Sequence, residues 1–228
     1  MRSPGHDEEL AAGFLFTEGI IKGKNELVSV NHRRDPKHPN LCNIINVTPT
    51  KGMKFDSRGW QRNFVSSSSC GLCGKLTIES VRLQTSPVTD DPLRVEAELL
   101  RSLPKRMRAS QAGFDETGGI HAAGLFDGEG KLIYVREDIG RHNAVDKVIG
   151  AALLADRLPL EGCILMVSGR TSFEIVQKAL MAKIPLLVAV SAASSLAVEL
   201  AEGAGMGLVG FLRGNTMNVY AGTERVLG

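Results

Sequence analysis

The sequence of 228 residues lacks several features that would assign it to a specialised class. It has no apolar run of about 18 residues, so no membrane-spanning helix is expected. Residues 1–9 are polar and do not resemble the apolar segment of a secretory signal peptide. With 27 Lys and Arg against 25 Asp and Glu, the charge gives no reason to expect a nucleic acid or a membrane surface as partner. These absences predict a cytoplasmic globular protein of one large or two small domains.

Cysteine is scarce as well. The four cysteines are irregularly spaced, which is not the pattern of a disulfide framework and favours a reducing compartment. Cys42 and Cys163 stand alone in apolar, strand-like runs, whereas Cys70 and Cys73 form a Cys-x-x-Cys pair. Four serines precede this pair and a glycine follows each cysteine. Since serine and glycine favour loops, we expect both sulfurs on an accessible turn.

Three kinds of chemistry fit the Cys70–Cys73 pair. It could be half of a structural zinc site, but such sites use four ligands and the chain has no second pair. A thioredoxin-type dithiol lies where a strand meets a helix, and no clear strand precedes this pair. The third interpretation is a nucleophilic or sulfur-carrying cysteine with a neighbour that resolves it. The pair by itself leaves all three open.

We expect two domains, a small strand-rich one over residues 1–90 that ends with the cysteine loop and an α/β domain over 91–228. The first domain should begin with a helix capped by Asp7 and stopped at Gly19. Residues 26–31 and 41–48 read as strands around a proline-containing loop.

The second domain is expected to open with a helix, because Asp90-Asp91-Pro92 places proline in a first turn. The basic residues Lys105, Arg106 and Arg108 should form a solvent-facing side of that helix. A hairpin is expected next, with strands 120–126 and 132–136 joined at Asp127-Gly128.

A densely charged stretch, Arg136 to Lys147, leads into an amphipathic helix. Its apolar positions recur with helical spacing at Val145, Val148, Ile149, Ala152 and Leu153. His142 and Asp146 lie four residues apart at the edge of that stripe. A packed histidine satisfied by Asp146 and a histidine in a functional site both fit this spacing.

The last third of the chain alternates strand and helix. Residues 163–167 and 186–190 read as buried strands, each followed by a helix, and the first helix is expected to carry a Thr171-x-x-Glu174 capping box. Residues 208–212 and 217–220 should form a closing strand pair. This alternation predicts a parallel or mixed sheet covered on both faces, an α/β fold.

The two strand–helix units repeat one pattern. Ser168 and Ser191 follow the two strands 23 residues apart, and Ser172 matches Ser195 at the same offset. Both turns should lie at the carboxyl edge of the sheet, where open α/β sheets bind ligands. Helix N-termini suit phosphate, and one turn carries Arg170, so we expect a phosphorylated ligand there.

These motifs together resemble one family, the formate dehydrogenase accessory sulfurtransferases (FdhD). The resemblance covers nearly the whole chain, and most members carry further residues ahead of Pro4-Gly5. The matching motifs are Pro4-Gly5-x-Asp7-Glu8-Glu9-Leu10, Gly13-Phe14-Leu15-x-x-Glu18-Gly19, Cys70-Gly71-x-Cys73-Gly74, Thr117-Gly118-Gly119-x-His121-Ala122, Arg136-Glu137-Asp138-x-Gly140-Arg141-His142-Asn143-Ala144-Val145-Asp146-Lys147, Ser168-Gly169-Arg170 and Phe211-x-Arg213.

The resemblance implies a cytoplasmic sulfur carrier that acts for formate dehydrogenase. Such a protein receives persulfide sulfur from a cysteine desulfurase and passes it to the molybdenum bis(molybdopterin guanine dinucleotide) cofactor. The persulfide cysteine corresponds to Cys70, with Cys73 beside it. The resemblance also implies a homodimer and a cytidine-deaminase-like three-layer sheet domain. The cofactor-binding segment of the family corresponds to Phe211, Leu212, Arg213, Gly214, Asn215 and Thr216.

Two alternatives differ in class. A zinc deaminase would need a His-x-Glu motif, but Ala122-Ala123 follows His121 and Asn143-Ala144 follows His142, so this chemistry and a bound zinc are not expected. A non-catalytic cofactor chaperone would need the phosphate turns but not the thiols. We also expect Phe211 to pack in the core rather than stack on a base.

Overall fold

A six-stranded mixed sheet organises the computed structural model, which describes residues 1–34, 43–52 and 85–228. Cys42, Cys70 and Cys73 lie outside the described residues. The strands are β1 (Leu27–Arg33), β2 (Ile44–Pro49), β3 (Val95–Glu96), β4 (His121–Phe126), β5 (Leu132–Asp138), β6 (Ile164–Val167), β7 (Leu186–Ala189), β8 (Gly207–Arg213), β9 (Thr216–Ala221) and β10 (Val226–Leu227). The α-helices are α1 (Asp7–Thr17), α2 (Ala97–Arg108), α3 (Ala112–Thr117), α4 (Arg141–Leu154), α5 (Phe173–Met181) and α6 (Ser195–Ala204).

The strand order in this sheet is β5-β4-β6-β7-β8-β9. Strands β6, β7 and β8 are parallel, so their carboxyl ends meet at one edge of the sheet. Strand β4 runs antiparallel to β6, which brings its first residue, His121, to the same edge. Strands β1 and β2 form a separate antiparallel ribbon, and β3 pairs with β10 in parallel.

Helices cover both faces of the sheet. Every residue of β6 and β7 is buried, as expected for strands that have no solvent-facing side. One core cluster joins the sheet to α4, α5 and α6, and the other joins it to α2 through Leu100, Leu103 and Met107. The three-layer α/β organisation expected from the sequence is therefore confirmed. Within the described residues, no helix combines the length and the apolarity needed to cross a membrane.

Most expected elements of the second half are confirmed, but the expected start of α2 is wrong. The helix begins at Ala97 rather than at Pro92, because Val95 and Glu96 pair with the C-terminal strand β10 instead. The Asp91 carboxylate accepts hydrogen bonds from Leu93 N at 2.9 Å and from Gly162 N at 2.8 Å, so it anchors a loop. Asp7 is the first residue of α1, and the cap position belongs to His6.

Helices α1 and α4 cross at two glycines. A Cβ atom built on Gly13 would lie 1.9 Å from the carbonyl oxygen of Asp146, and one built on Gly150 would lie 1.8 Å from that of Glu9. No real Cβ tolerates such a distance, so only glycine permits this crossing. The crossing fixes α4, whose first residues contribute to the site described below.

Buried ion pairs hold the same helices in register. Lys178 on α5 donates to the Asp146 carboxylate at 2.8 and 3.0 Å and to Thr17 Oγ1 at 2.9 Å, so one network ties α1, α4 and α5 together. Burial raises the pKa of Asp146, and the Lys178 ammonium acts against that rise. At the start of α4, buried Lys147 Nζ lies 2.8 Å from Asp138 Oδ2. Asp146 thus pairs with Lys178 and leaves its helix neighbour His142 to other partners.

Candidate anion-binding site

The two serine turns meet at the carboxyl edge of the sheet. Thr171 N donates to Ala192 O at 2.9 Å, and Ser194 N donates to Thr171 O at 3.0 Å. The turn after β6 therefore pairs with the turn after β7, as an extension of the strand pairing itself. Ser168 lies at the start of the first turn, and its hydroxyl oxygen accepts a hydrogen bond from Ala122 N at 2.9 Å.

Each turn delivers the start of a helix to this edge. Ser194 caps α6, since its hydroxyl oxygen accepts from Ala197 N at 3.3 Å. Ser172 occupies the cap position of α5, but the helix has no side-chain cap hydrogen bond. The expected Thr171-x-x-Glu174 capping box is therefore wrong, because the helix begins one residue later and Glu174 bonds to a neighbouring helix.

A cavity of about 360 Å³ opens between these helix starts. We call it the anion cavity, and its lining comprises Arg141, Arg170, Thr171, Ser172, Ala192, Ala193, Ser194, Ser195 and Leu196. The N-termini of α4, α5 and α6 all contribute, because each supplies its cap or first residue. Free backbone N–H groups and two guanidinium groups make the cavity positive and suited to an anion. Arg141 was not among the site residues expected from sequence.

Two buried polar atoms of this cavity have no hydrogen-bond partner in the part of the chain that the structure describes. Among the described residues, neither Arg141 Nε nor Thr171 Oγ1 finds a hydrogen-bond partner, although Thr171 is only 1% exposed. Unsatisfied buried polar atoms are rare in native proteins and call for an explanation such as a ligand. Burial and the nearby Arg170 guanidinium also lower the pKa of Arg141. The local field therefore favours an added negative charge.

His142 belongs to the same cluster. Its Nε2 atom lies 3.0 Å from Glu174 Oε2 on α5 and 3.0 Å from Ser172 Oγ. The hydrogen bond from His142 lowers the pKa of Glu174, so this carboxylate stays ionised and paired. The partners of His142 are therefore Glu174 and Ser172 rather than Asp146, and of these Ser172 lines the anion cavity, so a role for His142 in the site stays a prediction.

His121 joins the anion cavity to a second, larger one. Ser168 Oγ lies 3.4 Å from His121 Nδ1, and burial together with Arg141, His142 and Arg170 lowers the pKa of His121. The imidazole is therefore held neutral. The second cavity, of about 620 Å³, is called the apolar cavity below, and its lining includes His121, Ser168, Met107, Phe114, Met166 and Val190.

The predicted cofactor segment, residues 211–216, lies beside the second serine turn. Phe211 N donates to Ser191 O at 3.1 Å, and Arg213 Nε donates to Val190 O at 2.9 Å. The expectation that Phe211 packs in the core is wrong. Its side chain is 39% exposed, and its backbone adopts φ 51°. A non-glycine residue in this left-handed region is strained, and such strain concentrates at functional sites.

The rest of that segment has mixed surroundings. Leu212 is 1% exposed and belongs to the core, so its side chain faces away from solvent. Gly214 takes φ 53° in the turn between β8 and β9, and Asn215 O accepts from Arg101 Nε at 3.2 Å. Thr216 Oγ1 donates to Arg213 O at 3.1 Å. Phe211, Arg213, Asn215 and Thr216 are thus exposed, whereas Leu212 is buried in the core.

The predicted carrier residues Cys70 and Cys73 lie outside the described residues, and their assignment stays a prediction. Across the parts of the chain that are described, no three His, Cys, Asp or Glu side chains cluster closely enough to hold a metal ion. Cys163 is half-buried, and burial raises the pKa of its thiol, which disfavours the reactive thiolate.

Fold and site together define a three-layer α/β protein with a cationic cavity at the carboxyl edge of its sheet. The chain belongs to the FdhD/NarQ family, whose model matches residues 1–227. Among its relatives, the sulfur carrier protein FdhD of Streptomyces avermitilis is 51% identical, over 99% of this chain and 82% of that protein. The sulfur carrier protein FdhD of Saccharolobus solfataricus is 40% identical, over 99% of this chain and 82% of that protein.

A solved structure supports the same assignment. The crystal structure of a protein from Desulfotalea psychrophila, described as a formate dehydrogenase accessory protein, matches with a TM-score of 0.74 and 27% identity. The match covers 100% of this chain and 82% of that one.

Proposed function

We propose that this protein is a sulfur carrier that acts in the maturation of formate dehydrogenase. In this proposal Cys70 accepts persulfide sulfur from a cysteine desulfurase and passes it to the molybdenum bis(molybdopterin guanine dinucleotide) cofactor, bound as substrate. One observation carries the proposal: a cationic cavity lies at the sheet edge of a chain about half identical to proteins described as sulfur carriers. A cytoplasmic location and a homodimer complete it.

The anion cavity fits the diphosphate of such a cofactor. A diphosphate carries several negative charges and many acceptor oxygens, and it needs several donors that converge on it. Arg141 and Arg170 supply guanidinium donors, and three helix N-termini supply backbone N–H groups. The buried Arg141 Nε and Thr171 Oγ1 would each gain a partner there.

The sulfur-loading step is a thiol–persulfide exchange. The Cys70 thiolate attacks the outer sulfur of the desulfurase persulfide, so a new S–S bond forms as the old one breaks. The desulfurase cysteine leaves as a thiolate, and Cys70 carries the persulfide. The reaction needs no external oxidant, because the transferred sulfur is already at the persulfide oxidation level.

Intact mass measurement tests the carrier assignment. After incubation with a cysteine desulfurase and cysteine, the wild-type chain should gain the mass of one sulfur atom, and a thiol reductant should remove it. Cys73→Ala should still gain this sulfur, whereas Cys70→Ala should not. If Cys70→Ala gains the reducible sulfur and Cys73→Ala does not, the carrier has been assigned to the wrong cysteine.

A non-catalytic cofactor chaperone is the competing function, because it would need the anion cavity but not the thiols. A formate dehydrogenase maturation assay separates the two. A carrier should lose activity in Cys70→Ala, and a chaperone should tolerate this change.

Calorimetric titration of GDP against ADP tests the cofactor half of the proposal. We expect GDP to bind more tightly than ADP. Equal binding of the two would leave a phosphate site and remove guanine recognition from the proposal.

A further inference from the structure

The apolar cavity is a second concavity, and the anion cavity does not account for it. Its walls are Met107, Phe114, Ile120, Met166 and Val190, and its volume of about 620 Å³ falls within the usual range for small-molecule sites. Flat apolar and sulfur-containing walls suit the faces of an aromatic ring. Lys105 and Arg108 also line this cavity.

We propose that the apolar cavity binds a planar fused heteroaromatic ring of the same ligand whose phosphates occupy the anion cavity. This inference rests on the proposed function. It adds which cavity holds the ring of the ligand and which holds its phosphates. Both guanine and the pterin of the proposed cofactor are such rings, and both carry a polar edge of amino and oxo groups.

Gly169 connects the two cavities. A Cβ atom built on Gly169 would lie 3.1 Å from His121 Nδ1, which lines the apolar cavity, and 3.5 Å from Arg141 Cδ, which lines the anion cavity. A side chain at position 169 would therefore contact a residue of each cavity, and glycine leaves that space open. A ligand that crosses the backbone at Gly169 can place its ring on one side and its phosphates on the other.

The polar edge of the apolar cavity has defined donors and acceptors. Ser168 Oγ already accepts from Ala122 N, so its own proton is free to go to His121 Nδ1. In that tautomer the neutral imidazole carries its proton on Nε2 and can donate it to a ring oxygen or nitrogen. Burial, with nearby cations, lowers the pKa of His121, which keeps the imidazole in this neutral form.

The wall that Phe114 forms is held in place before any ligand arrives. The Glu137 carboxylate accepts hydrogen bonds from Gly113 N at 2.8 Å and Phe114 N at 2.9 Å, which fixes the start of α3. The Arg108 guanidinium lies 4.7 Å from the centre of the Phe114 ring. A wall fixed in this way lowers the entropy cost of binding a rigid ring.

Gly119 offers a way to fill the cavity without disturbing the fold. It lines the cavity, its backbone lies outside the left-handed region, and an added Cβ would meet only Thr117 O, at 3.7 Å. Gly119→Trp should therefore occupy ring space, and Gly119→Ala is the matched control. Phe114→Ala, which removes a wall instead, is the second variant.

The experiment compares three probes by calorimetry or fluorescence, after circular dichroism has confirmed that each variant is folded. Pyrophosphate reports on the anion cavity alone, GDP reports on both cavities, and neopterin in the presence of pyrophosphate reports on a pterin ring. We expect Gly119→Trp and Phe114→Ala to weaken GDP about tenfold or more, as loss of ring contacts does, with pyrophosphate binding unchanged. Gly119→Ala adds only one methyl group to the same position and should weaken GDP much less than Gly119→Trp.

Each of the remaining outcomes also supports or refutes the ring site in the apolar cavity. Loss of neopterin binding with GDP unchanged would assign the cavity to the pterin and still support a ring site. If neither GDP nor neopterin responds to the variants, or if pyrophosphate weakens as much as GDP, the ring site is refuted and the sulfur-carrier function stands. If the wild type binds no GDP and no neopterin, the cofactor half of the proposed function fails as well, whereas the mass test of Cys70 is unaffected.

Discussion

At the scale of single residues, Arg141 shows how the first residue of a helix can supply a charged group to the anion cavity. As the first residue of α4, it lies in the chain between Asp138 and Lys147, which form a buried ion pair, and it lines the anion cavity together with Arg170. Burial and the charge of Arg170 lower the pKa of Arg141, and an anion bound beside both guanidinium groups would relieve this repulsion. Arg141 Nε, for which the described residues supply no hydrogen-bond partner, fits the same conclusion. The described residues provide one nearby carboxylate, Glu174, and His142 already pairs with it.

Arg141→Ala should weaken pyrophosphate binding on the order of tenfold or more. Each charge-assisted hydrogen bond contributes roughly 1.5–3 kcal/mol, which corresponds to that change in affinity. Arg170→Ala should have a similar effect. Calorimetric titration measures both, with Arg106→Ala as control, because Arg106 bonds to Gly130 O at the far end of the hairpin. Unchanged affinity in Arg141→Ala would contradict the assignment of the cavity.

His121 should make stability depend on pH. Its folded pKa lies below the ordinary value, so below about pH 6.5 the unfolded chain binds more protons at this group than the folded one. The contribution of His121 to the free energy of unfolding is therefore complete above that pH and is lost as the pH falls. Urea unfolding gives the free energy of unfolding of wild type and His121→Gln from pH 7.5 to 5. The difference between the two proteins should become smaller as the pH falls. A difference that does not vary with pH would refute this linkage.

At the scale of elements, the crossing of α1 and α4 explains why the sequence places glycines inside two helices. Glycine lowers helix propensity by roughly 1 kcal/mol relative to alanine, so its presence at Gly13 and Gly150 needs a tertiary reason. Contact between the two backbones supplies it. The buried Lys178–Asp146 pair then fixes α5 against α4, and with it Glu174 against His142.

Gly13→Ala should lower the free energy of unfolding by about 1–3 kcal/mol or more, although alanine is the better helix former. The new methyl group would meet the backbone of α4, which cannot move away as a flexible side chain could. Urea unfolding measures the change. The exposed Gly119→Ala serves as control and should change stability little. A stabilised Gly13→Ala would show that the helices cross less closely than the structure describes.

At the scale of the whole molecule, the sheet places chemistry from distant parts of the chain at one edge. The start of β4 brings His121, the start of α4 brings Arg141 and His142, and the turn after β6 brings Arg170. The division into domains 1–90 and 91–228 stays a prediction, as does the homodimer.

The purified protein is predicted to contain no bound zinc. A structural zinc site needs four ligands, and the Cys70–Cys73 pair supplies two. Metal analysis of wild type and Cys70→Ala tests this expectation. About one zinc per chain, lost in Cys70→Ala, would restore the interpretation of the pair as half of a metal site.

The sequence by itself determined the features that depend on local pattern. Apolar runs and turn residues predicted the hairpin β4–β5, the buried strands β6 and β7, and the closing pair β8–β9. The repeated strand–serine–helix pattern also predicted that two helix starts would share one edge. These inferences succeeded because alternation, helical spacing and turn chemistry are encoded within a few residues.

Only the tertiary structure decided which side chains meet. Glu174 read as half of a capping box, yet it pairs with His142 from another helix. Val95 read as helical, yet it pairs with Val226, more than a hundred residues away. Phe211 read as core, yet a left-handed backbone turns it toward solvent. For Glu174 and Val95 the partner lies far away in the chain, and its contribution to the free energy outweighs a local preference of about 1 kcal/mol.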